Sequence, residues 1–409
     1  MKGFKEASMK KLLIVALALA LGTAAFAQSA KLVIWADDTR APVLRDLGAA
    51  FKAQTGIEIE VVEIAFDQLR GQFVTAAPTG QGPDILAGAH DWVGELAANG
   101  LLEPVNFGPK LAEFSPVAVQ AFSYGGHNYG VPQGMENIAI IYNKALVSQP
   151  PRTWDELLNL ARQITDPTKP MYALVFQNGP DPYHWFPMLS ANGGYIFGTS
   201  ADGSLNPCDV GLATAGAIHG AKLFAGMIDE GLLPVGVGWD TMRALFFGGN
   251  AAMVISGPWL IADTKAAGID YGIAPIPAIL GPDGHTYGTP RPFIGVQGFM
   301  VSAFSQNKTL AFDFLLNYIA TTDTMLALYQ RNPRPPAHLP TFALVASDPD
   351  IAAFGAQGAF GIPMPNIPEM ASVWGAWADA QSLIADGQAT PEVALQEAVA
   401  KIKTALKCK

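Results

Sequence analysis

The chain has 409 residues, half of them hydrophobic, and a formal net charge of −10 at pH 7. This length exceeds what one hydrophobic core usually supports, so we expect two domains. The excess of acidic residues argues against binding to nucleic acid or to an anionic membrane, because both need basic patches.

The N-terminal segment has the pattern of an export signal. Lys10 and Lys11 precede an apolar run over 12–21, and Ala25-Phe26-Ala27 is the small-x-small pattern after which signal peptidase cleaves. The run has about half of the roughly twenty residues that a membrane-spanning helix needs. We therefore expect 1–27 to be a cleaved signal peptide and the product to be periplasmic, with an uncleaved anchor as the alternative. Gln28 stands where a lipoprotein would have cysteine, so no lipid anchor is expected.

In the first third of the chain, strand and helix patterns alternate. We predict strands at 31–35, 57–62 and 84–86 and helices at 42–54 and 66–77. Such alternation indicates parallel β-α-β units. Asp91 precedes a further predicted helix, 92–98, and is a candidate N-cap for it.

Later segments suggest a second unit. Two extended stretches, at 130–143 and 293–302, are suited to cross between domains. Between them we predict strands at 172–176, 253–255 and 271–273 and a long helix from about Asp209 to Glu230. Thr153 and Glu156 have the spacing of a capping box, and Thr390 with Pro391 begins a C-terminal helix.

The sequence contains two cysteines, Cys208 and Cys408. A disulfide between them is compatible with export. Cys408 is next to last, however, where chains usually fray, and this favours two unpaired thiols.

Motifs for catalysis and metal binding are missing from the sequence. It has no GxSxG, GxxxxGK[ST], GxGxxG or HExxH pattern, and none of its six histidines pairs with another at ligand spacing. We therefore predict no cofactor, no metal site and no catalytic residues. A glycoside hydrolase stays open as an alternative, because its two carboxylates carry no sequence signature.

Aromatic and acidic residues gather instead in loops rich in glycine and proline. Such loops at strand ends are where open α/β sheets bind ligands. An aromatic ring stacks on the apolar face of a sugar, and a carboxylate accepts from its hydroxyls. Each residue also has a structural interpretation, since Asp91 is a candidate cap and either Trp374 or Trp377 is expected in the core. These loop segments are Asp91-Trp92, Met135-Glu136-Asn137, Asp181 to Trp185, Gly257-Pro258-Trp259 and Trp374.

Several motifs of the chain together match one known family. They are Lys31-Leu32-Val33-Ile34-Trp35, Gly82-Pro83-Asp84-Ile85, Gly88 to Leu96, Ile141-Tyr142-Asn143-Lys144, Gly257-Pro258-Trp259 and Met364 to Met370. By these motifs the chain resembles the family of maltose-binding proteins, the periplasmic sugar-binding subunits of ABC importers. The resemblance runs from Lys31 to about Lys403, and the residues of 88–97 and 296–300 are most similar to the branch from thermophilic bacteria.

The resemblance implies an α/β fold of two discontinuous lobes joined by extended hinge segments, with the sugar in the cleft. The N-terminal lobe would comprise 31–138 plus 294–344, and the C-terminal lobe 139–293 plus 345–409.

Site residues follow from the same resemblance, position by position. Asp91, Glu136 and Asp181 correspond to acids that accept sugar hydroxyls, and Tyr183, Trp259 and Trp374 to stacking aromatics. Asp38 corresponds to another polar contact, and Gln68 is a cleft-facing amide. The family's lysine after that acid is Thr39 here, and Arg40 next to it is the expected substitute.

Four departures from the family pattern concern the pocket. Gly88 stands where the enteric-type pocket has tryptophan, and Trp92, itself expected to contact the ligand, stands where it has arginine. Near Trp374, Gly375 and Ala378 stand where it has tyrosine and arginine. Smaller side chains leave more room, which favours a ligand that is longer than a disaccharide or bound in a different pose. The expected function is capture of maltose, maltotriose or trehalose by a monomeric, non-enzymatic carrier that delivers them to an ABC permease. A secreted glycoside hydrolase, or the same fold with another sugar, is the alternative.

Overall fold

A computed structural model describes residues 31–408. The predicted signal peptide therefore lies outside the described residues. Within them, no helix is both long and apolar enough to cross a membrane. The described side chains also contain no group of three or more His, Cys, Asp or Glu arranged to hold a metal ion.

The first sheet has seven strands. Lys31–Ala36 lies between Glu58–Glu63 and Ile85–Ala89 and is parallel to both, which confirms the predicted β-α-β units. Phe293–Ser302 is antiparallel to Ile85–Ala89 and to Val131–Glu136. The strands are Lys31–Ala36, Glu58–Glu63, Ile85–Ala89, Leu102–Glu103, Val131–Glu136, Phe293–Ser302 and Ile362–Pro363.

Helices packed with the first sheet follow from periodic apolar residues and turn chemistry. Ala41–Thr55 buries Val43, Leu44 and Phe51, and it ends at Gly56, whose φ of 78° suits glycine. The α-helices are Ala41–Thr55, Phe66–Ala76, Val93–Ala98, Pro116–Ala121, Lys308–Asp313, Thr322–Arg331 and Leu339–Val345, with a π-helical turn at Phe314–Ile319 and 3-10 turns at Ala77–Thr79, His90–Trp92 and Gly108–Glu113.

A second sheet has four strands, in the order Tyr271–Ala274, Ala139–Asn143, Ala251–Ser256 and Tyr172–Val175. Thr153 caps the helix Trp154–Ile164 by accepting from the Glu156 amide at 3.2 Å, as predicted. The α-helices around this sheet are Trp154–Ile164, Pro182–Ser190, Ala215–Asp229, Trp239–Phe247, Ile261–Ala266, Pro349–Gly358, Ala371–Ala385 and Pro391–Ala405, with 3-10 turns at Gly211–Ala213, Pro258–Leu260 and Pro368–Met370.

Three two-stranded sheets complete the fold. They pair Ser123–Tyr124 with His127–Asn128, Phe197–Thr199 with Leu205–Val210, and Ile279–Leu280 with Tyr287–Gly288.

The buried hydrophobic residues divide between the two sheets. One cluster draws on 32–131 and 296–337, and we call the part of the chain that packs around it the first lobe. Two further clusters draw on 138–293 and 354–402 and cover the two faces of the second sheet; this part is the second lobe. The extended stretches predicted at 130–143 and 293–302 are strands, and each contributes to the cores of both lobes.

The long helix predicted from Asp209 is wrong at its start. Leu205–Val210 is a strand, and the helix begins at Ala215, where the Thr214 hydroxyl accepts from the Ala217 amide at 3.2 Å. Thr214 is a strong N-cap, and its preference for non-helical backbone ends the preceding segment.

The expectation of two unpaired cysteines is also wrong. Cys208, on the strand Leu205–Val210, forms a disulfide with Cys408. The C-terminal helix Pro391–Ala405 packs beside this strand, so its end is held where Cys408 meets Cys208. Tertiary packing, which sequence position does not reveal, overcomes the usual fraying of a chain end.

Candidate ligand-binding site

Three of the predicted acids lie along one edge of the first sheet. Asp38 follows the strand Lys31–Ala36, Asp91 follows Ile85–Ala89, and Glu136 ends Val131–Glu136. Because the first two strands are parallel, their carboxyl ends meet at the same edge, and the site forms there.

Asp91 is buried and bonded to the other lobe. Its Oδ2 accepts a hydrogen bond from the indole Nε1 of Trp374, at 3.1 Å. Burial raises the pKa of Asp91 to about 6, although Arg70 and the indole bond oppose the shift. The helix Val93–Ala98 has no side-chain cap, so the prediction that Asp91 caps it is wrong.

Glu136 is held by two buried partners from its own lobe. Its Oε1 accepts from the Gln297 amide at 2.7 Å, and its Oε2 accepts from Arg334 Nε at 2.5 Å. A buried carboxylate needs such partners to stay charged. Glu136 is therefore an oriented acceptor at the centre of the site.

Arg334 was not identified from the sequence. It lies in a proline-rich stretch after the helix Thr322–Arg331 and is 6% exposed. Its guanidinium lies 5.7 Å from the ring centroid of Trp259, which belongs to the second lobe. An arginine between Pro333 and Pro335 was the signal available in the sequence.

Arg40 belongs to a buried hydrogen-bond network that supports the site. It is fully buried, with its Nε donating to Asp37 at 2.6 Å and its Nη1 donating to Gln297 Oε1 at 2.9 Å. Arg40 thus orients the glutamine that in turn holds Glu136. The structure places this predicted contact residue in the supporting network rather than at an exposed surface.

Asp38 also bonds across the lobes. Its Oδ2 accepts from Trp239 Nε1 at 2.9 Å, and the Trp239 ring packs 5.2 Å from the Arg243 guanidinium. Partial burial raises the pKa of Asp38, with Asp37 adding to the shift. Trp239 is a second residue that sequence reasoning missed.

The predicted aromatics gather on the second lobe. Tyr183 lies 6.3 Å from Trp259 and 5.8 Å from Phe293, and Phe293 lies 6.1 Å from Trp374, all between ring centroids. Among the described residues the buried Tyr183 hydroxyl has no hydrogen-bond partner. Burial raises the pKa of Tyr183 well above its ordinary value, and the nearby carboxylates of Glu136, Asp181 and Asp91 raise it further.

Asp181 is already engaged within its own helix. Its carboxylate caps Pro182–Ser190 by accepting from the His184 amide at 3.2 Å, and its Oδ2 lies 3.0 Å from His184 Nδ1. This residue orients the turn that presents Tyr183. Its contact with a ligand stays a prediction.

Trp92 fills the space that Gly88 leaves. A Cβ added at Gly88 would meet Cζ3 of Trp92 at 2.3 Å, so the indole lies directly on the glycine. The room inferred from Gly88 is therefore occupied, and that part of the argument for a longer ligand was wrong.

Gln68 does not join this cluster. It is exposed on the helix Phe66–Ala76, and its Oε1 accepts from Gln72 Nε2 at 3.2 Å. Its role as a cleft-facing amide stays a prediction.

Acceptors and charged donors of the first lobe thus face an aromatic cluster of the second lobe. This arrangement suits a polyhydroxylated ligand with apolar faces. The family model for bacterial extracellular solute-binding proteins matches residues 46–353. The chain belongs to this family, whose members have two lobes and act outside the cytoplasm.

Among characterised relatives, a maltotriose-binding protein of Pyrococcus abyssi is 33% identical over 85% of this chain and 76% of its own length. A galactooligosaccharide-binding protein of Bacillus subtilis is 31% identical, over 93% of this chain and 91% of its own. The maltodextrin-binding protein of the same bacterium is 29% identical, over 92% and 90%. By their names, all three relatives bind oligosaccharides.

Proposed function

We propose that this protein captures α-linked gluco-oligosaccharides between its lobes and delivers them to a membrane ABC permease. Maltose, maltotriose and trehalose are the candidate ligands. The observation that carries the proposal is the meeting of Asp91 and Glu136 with the aromatic cluster of Tyr183, Trp259 and Trp374. Relatives that bind maltotriose and maltodextrin support the glucan class.

Delivery requires that the loaded form differ from the empty one. The hydrogen bonds Trp374–Asp91 and Trp239–Asp38 each join the two lobes, so the arrangement described is closed. Hinge closure around a sugar would present both lobes together to a permease, which favours the loaded state. The lobes would be 31–138 plus 294–344 and 139–293 plus 345–409. The carrier would be a periplasmic monomer released by cleavage near Ala27.

Calorimetry with a ligand panel tests the proposal. The secreted protein is titrated with maltose, maltotriose, trehalose and a β-galactooligosaccharide series, the last because of the Bacillus subtilis relative. A ligand at 100 times its Kd stabilises the fold by about 2.7 kcal/mol, so a thermal-shift screen selects the panel first. Binding of galactosides with no response to any α-glucoside would overturn the glucan assignment.

A glycoside hydrolase is the second candidate, and one observation favours it. The raised pKa of Asp91 is a property of a general acid. Its carboxylate is, however, bonded to the Trp374 indole rather than paired with a second carboxylate. Incubation with maltotriose separates the two functions, because release of glucose would contradict a carrier that performs no chemistry.

A further inference from the structure

Phe66 is an exposed aromatic residue beside the site that the proposed function does not use. It is 43% exposed and begins the helix Phe66–Ala76, which follows the strand Glu58–Glu63. This strand is parallel to Lys31–Ala36, so Phe66 lies at the same sheet edge as Asp38 and Asp91.

The ring of Phe66 packs against a second aromatic ring. Its centroid lies 5.2 Å from that of Trp92, at an interplanar angle of 37°. Trp92 in turn rests on Gly88 and is buried. A ring held against a fixed indole loses little freedom when a ligand stacks on it, which favours binding.

An ion pair lies beside this ring, on the same face of the helix. Phe66 and Arg70 are four residues apart, so they lie on the same face of the helix. Phe66 contacts the ring of Trp92, and Arg70 forms an ion pair with Glu95. The positive charge of Arg70 also acts on Asp91, which places this face next to the cleft.

An apolar face bordered by an ion pair suits one sugar unit, since hydroxyls meet the charged groups while the ring face stacks. Tyr183, Trp259 and Trp374 on the second lobe already present the faces expected to hold the first sugar units. The geometry points to Phe66, backed by Trp92, as a further stacking platform for the later units of an oligosaccharide. This inference rests on the proposed function and specifies the length of its ligand.

Calorimetry with a ladder of maltose, maltotriose, maltotetraose and maltopentaose tests the platform. Phe66→Ala should leave the maltose Kd unchanged within about twofold and weaken the binding of maltotetraose and maltopentaose by about five- to tenfold, the loss of one partly exposed aromatic contact. Phe66→Trp should retain the preference for longer chains, because an indole also stacks.

Phe304→Ala is the matched control. Phe304 is 40% exposed and follows the strand Phe293–Ser302 at the opposite edge of the same sheet, because Val301 pairs with Ile85 and Gln297 with Ala89. Its removal should not change the affinity for any member of the ladder.

The pattern of affinities across the ladder of sugars either supports or overturns the inference. A loss confined to the longer sugars supports it. Unchanged affinities, or an equal loss for maltose and maltopentaose with the control unaffected, would overturn the platform while leaving the proposed function intact. A wild-type protein that binds maltose but gains nothing with length would also overturn it. Failure to bind any α-glucan would refute the proposed function and the platform together.

Discussion

The indole nitrogen of Trp374 donates to the carboxylate of Asp91 across the two lobes, at 3.1 Å. Trp374 is also stacked on Trp377, with centroids 6.0 Å apart and planes 13° apart. The ring of Trp374 therefore packs in the second lobe, while its N–H group bonds to the first lobe. Any change at Trp374 affects both closure and stacking.

Truncation of Trp374 should separate these two roles. Trp374→Ala should weaken sugar binding by about 1–3 kcal/mol, as for other aromatic anchors. Trp374→Phe keeps a smaller apolar ring and loses the donor to Asp91, so a loss of about 1 kcal/mol, smaller than that of Trp374→Ala, is expected. Calorimetry with the preferred sugar measures both.

Trp377→Phe is the control, since Trp377 is fully buried and its indole nitrogen has no partner among the described residues. It should lower the melting temperature and leave the affinity unchanged. A Trp374→Ala protein with full affinity and reduced stability would show that Trp374 is only a core residue.

Protonation of Asp91 should make binding depend on pH. Its pKa of about 6 means that the carboxylate is neutral in acid and charged above that value. A charged acceptor binds sugar hydroxyls more strongly. The Kd should therefore weaken by up to about tenfold between pH 7 and pH 5. Titrations over this range test it, and an equally steep pH dependence in Asp91→Asn would assign the effect to another group.

The stability of the folded protein should fall as pH rises, whereas the sugar affinity should increase. The folded pKa of Asp91 lies above its usual value of 3.8, so the folded state holds this proton more tightly than the unfolded state. The contribution of Asp91 to stability therefore falls as pH rises from about 4 to 6, by about 3 kcal/mol in all. Asp91→Asn should remove this decline in urea unfolding at a series of pH values. The same decline in the variant would contradict the assignment.

Loss of Arg334 should destabilise the protein as well as the site. Arg334 and Glu136 form a buried ion pair, with each side chain less than a tenth exposed. Arg334→Met would leave Glu136 charged with only Gln297 as a partner, which typically costs about 3–5 kcal/mol. Chemical unfolding measures this cost.

The double variant Arg334→Met, Glu136→Gln should recover part of the stability, because no uncompensated charge stays buried. It should not recover sugar affinity. A stability in Arg334→Met equal to that of the wild type would show that the pair is not important to the fold.

Reduction of the disulfide should lower the stability of the protein. Cys208 and Cys408 are 200 residues apart in sequence, so the bond restricts a large part of the unfolded chain. Cys208→Ser should cost about 2–5 kcal/mol, and Cys408→Ser should match it. Thermal unfolding with and without reductant measures the effect. A wild-type melting temperature insensitive to reductant would mean that the bond adds nothing.

Local sequence determined most elements of the fold. Alternating strand and helix patterns predicted the parallel strands of the first sheet, because side-chain periodicity reports which face is buried. Thr153 and Thr390 were recognised as caps from their own neighbours. Asp91, Tyr183, Trp259 and Trp374 were predicted as site residues from the resemblance to the family of maltose-binding proteins. Trp374, expected in a loop, lies in the helix Ala371–Ala385.

The tertiary structure alone decided which distant residues meet. Arg334 reaches Glu136 from almost 200 positions away, Trp239 reaches Asp38 across the lobes, and Cys408 pairs with Cys208. Trp92 fills the space beside Gly88 because the strand end and the turn that follows it fold onto each other. The periodicity of a sequence specifies local conformation, whereas these contacts depend on how two separately packed cores are brought together.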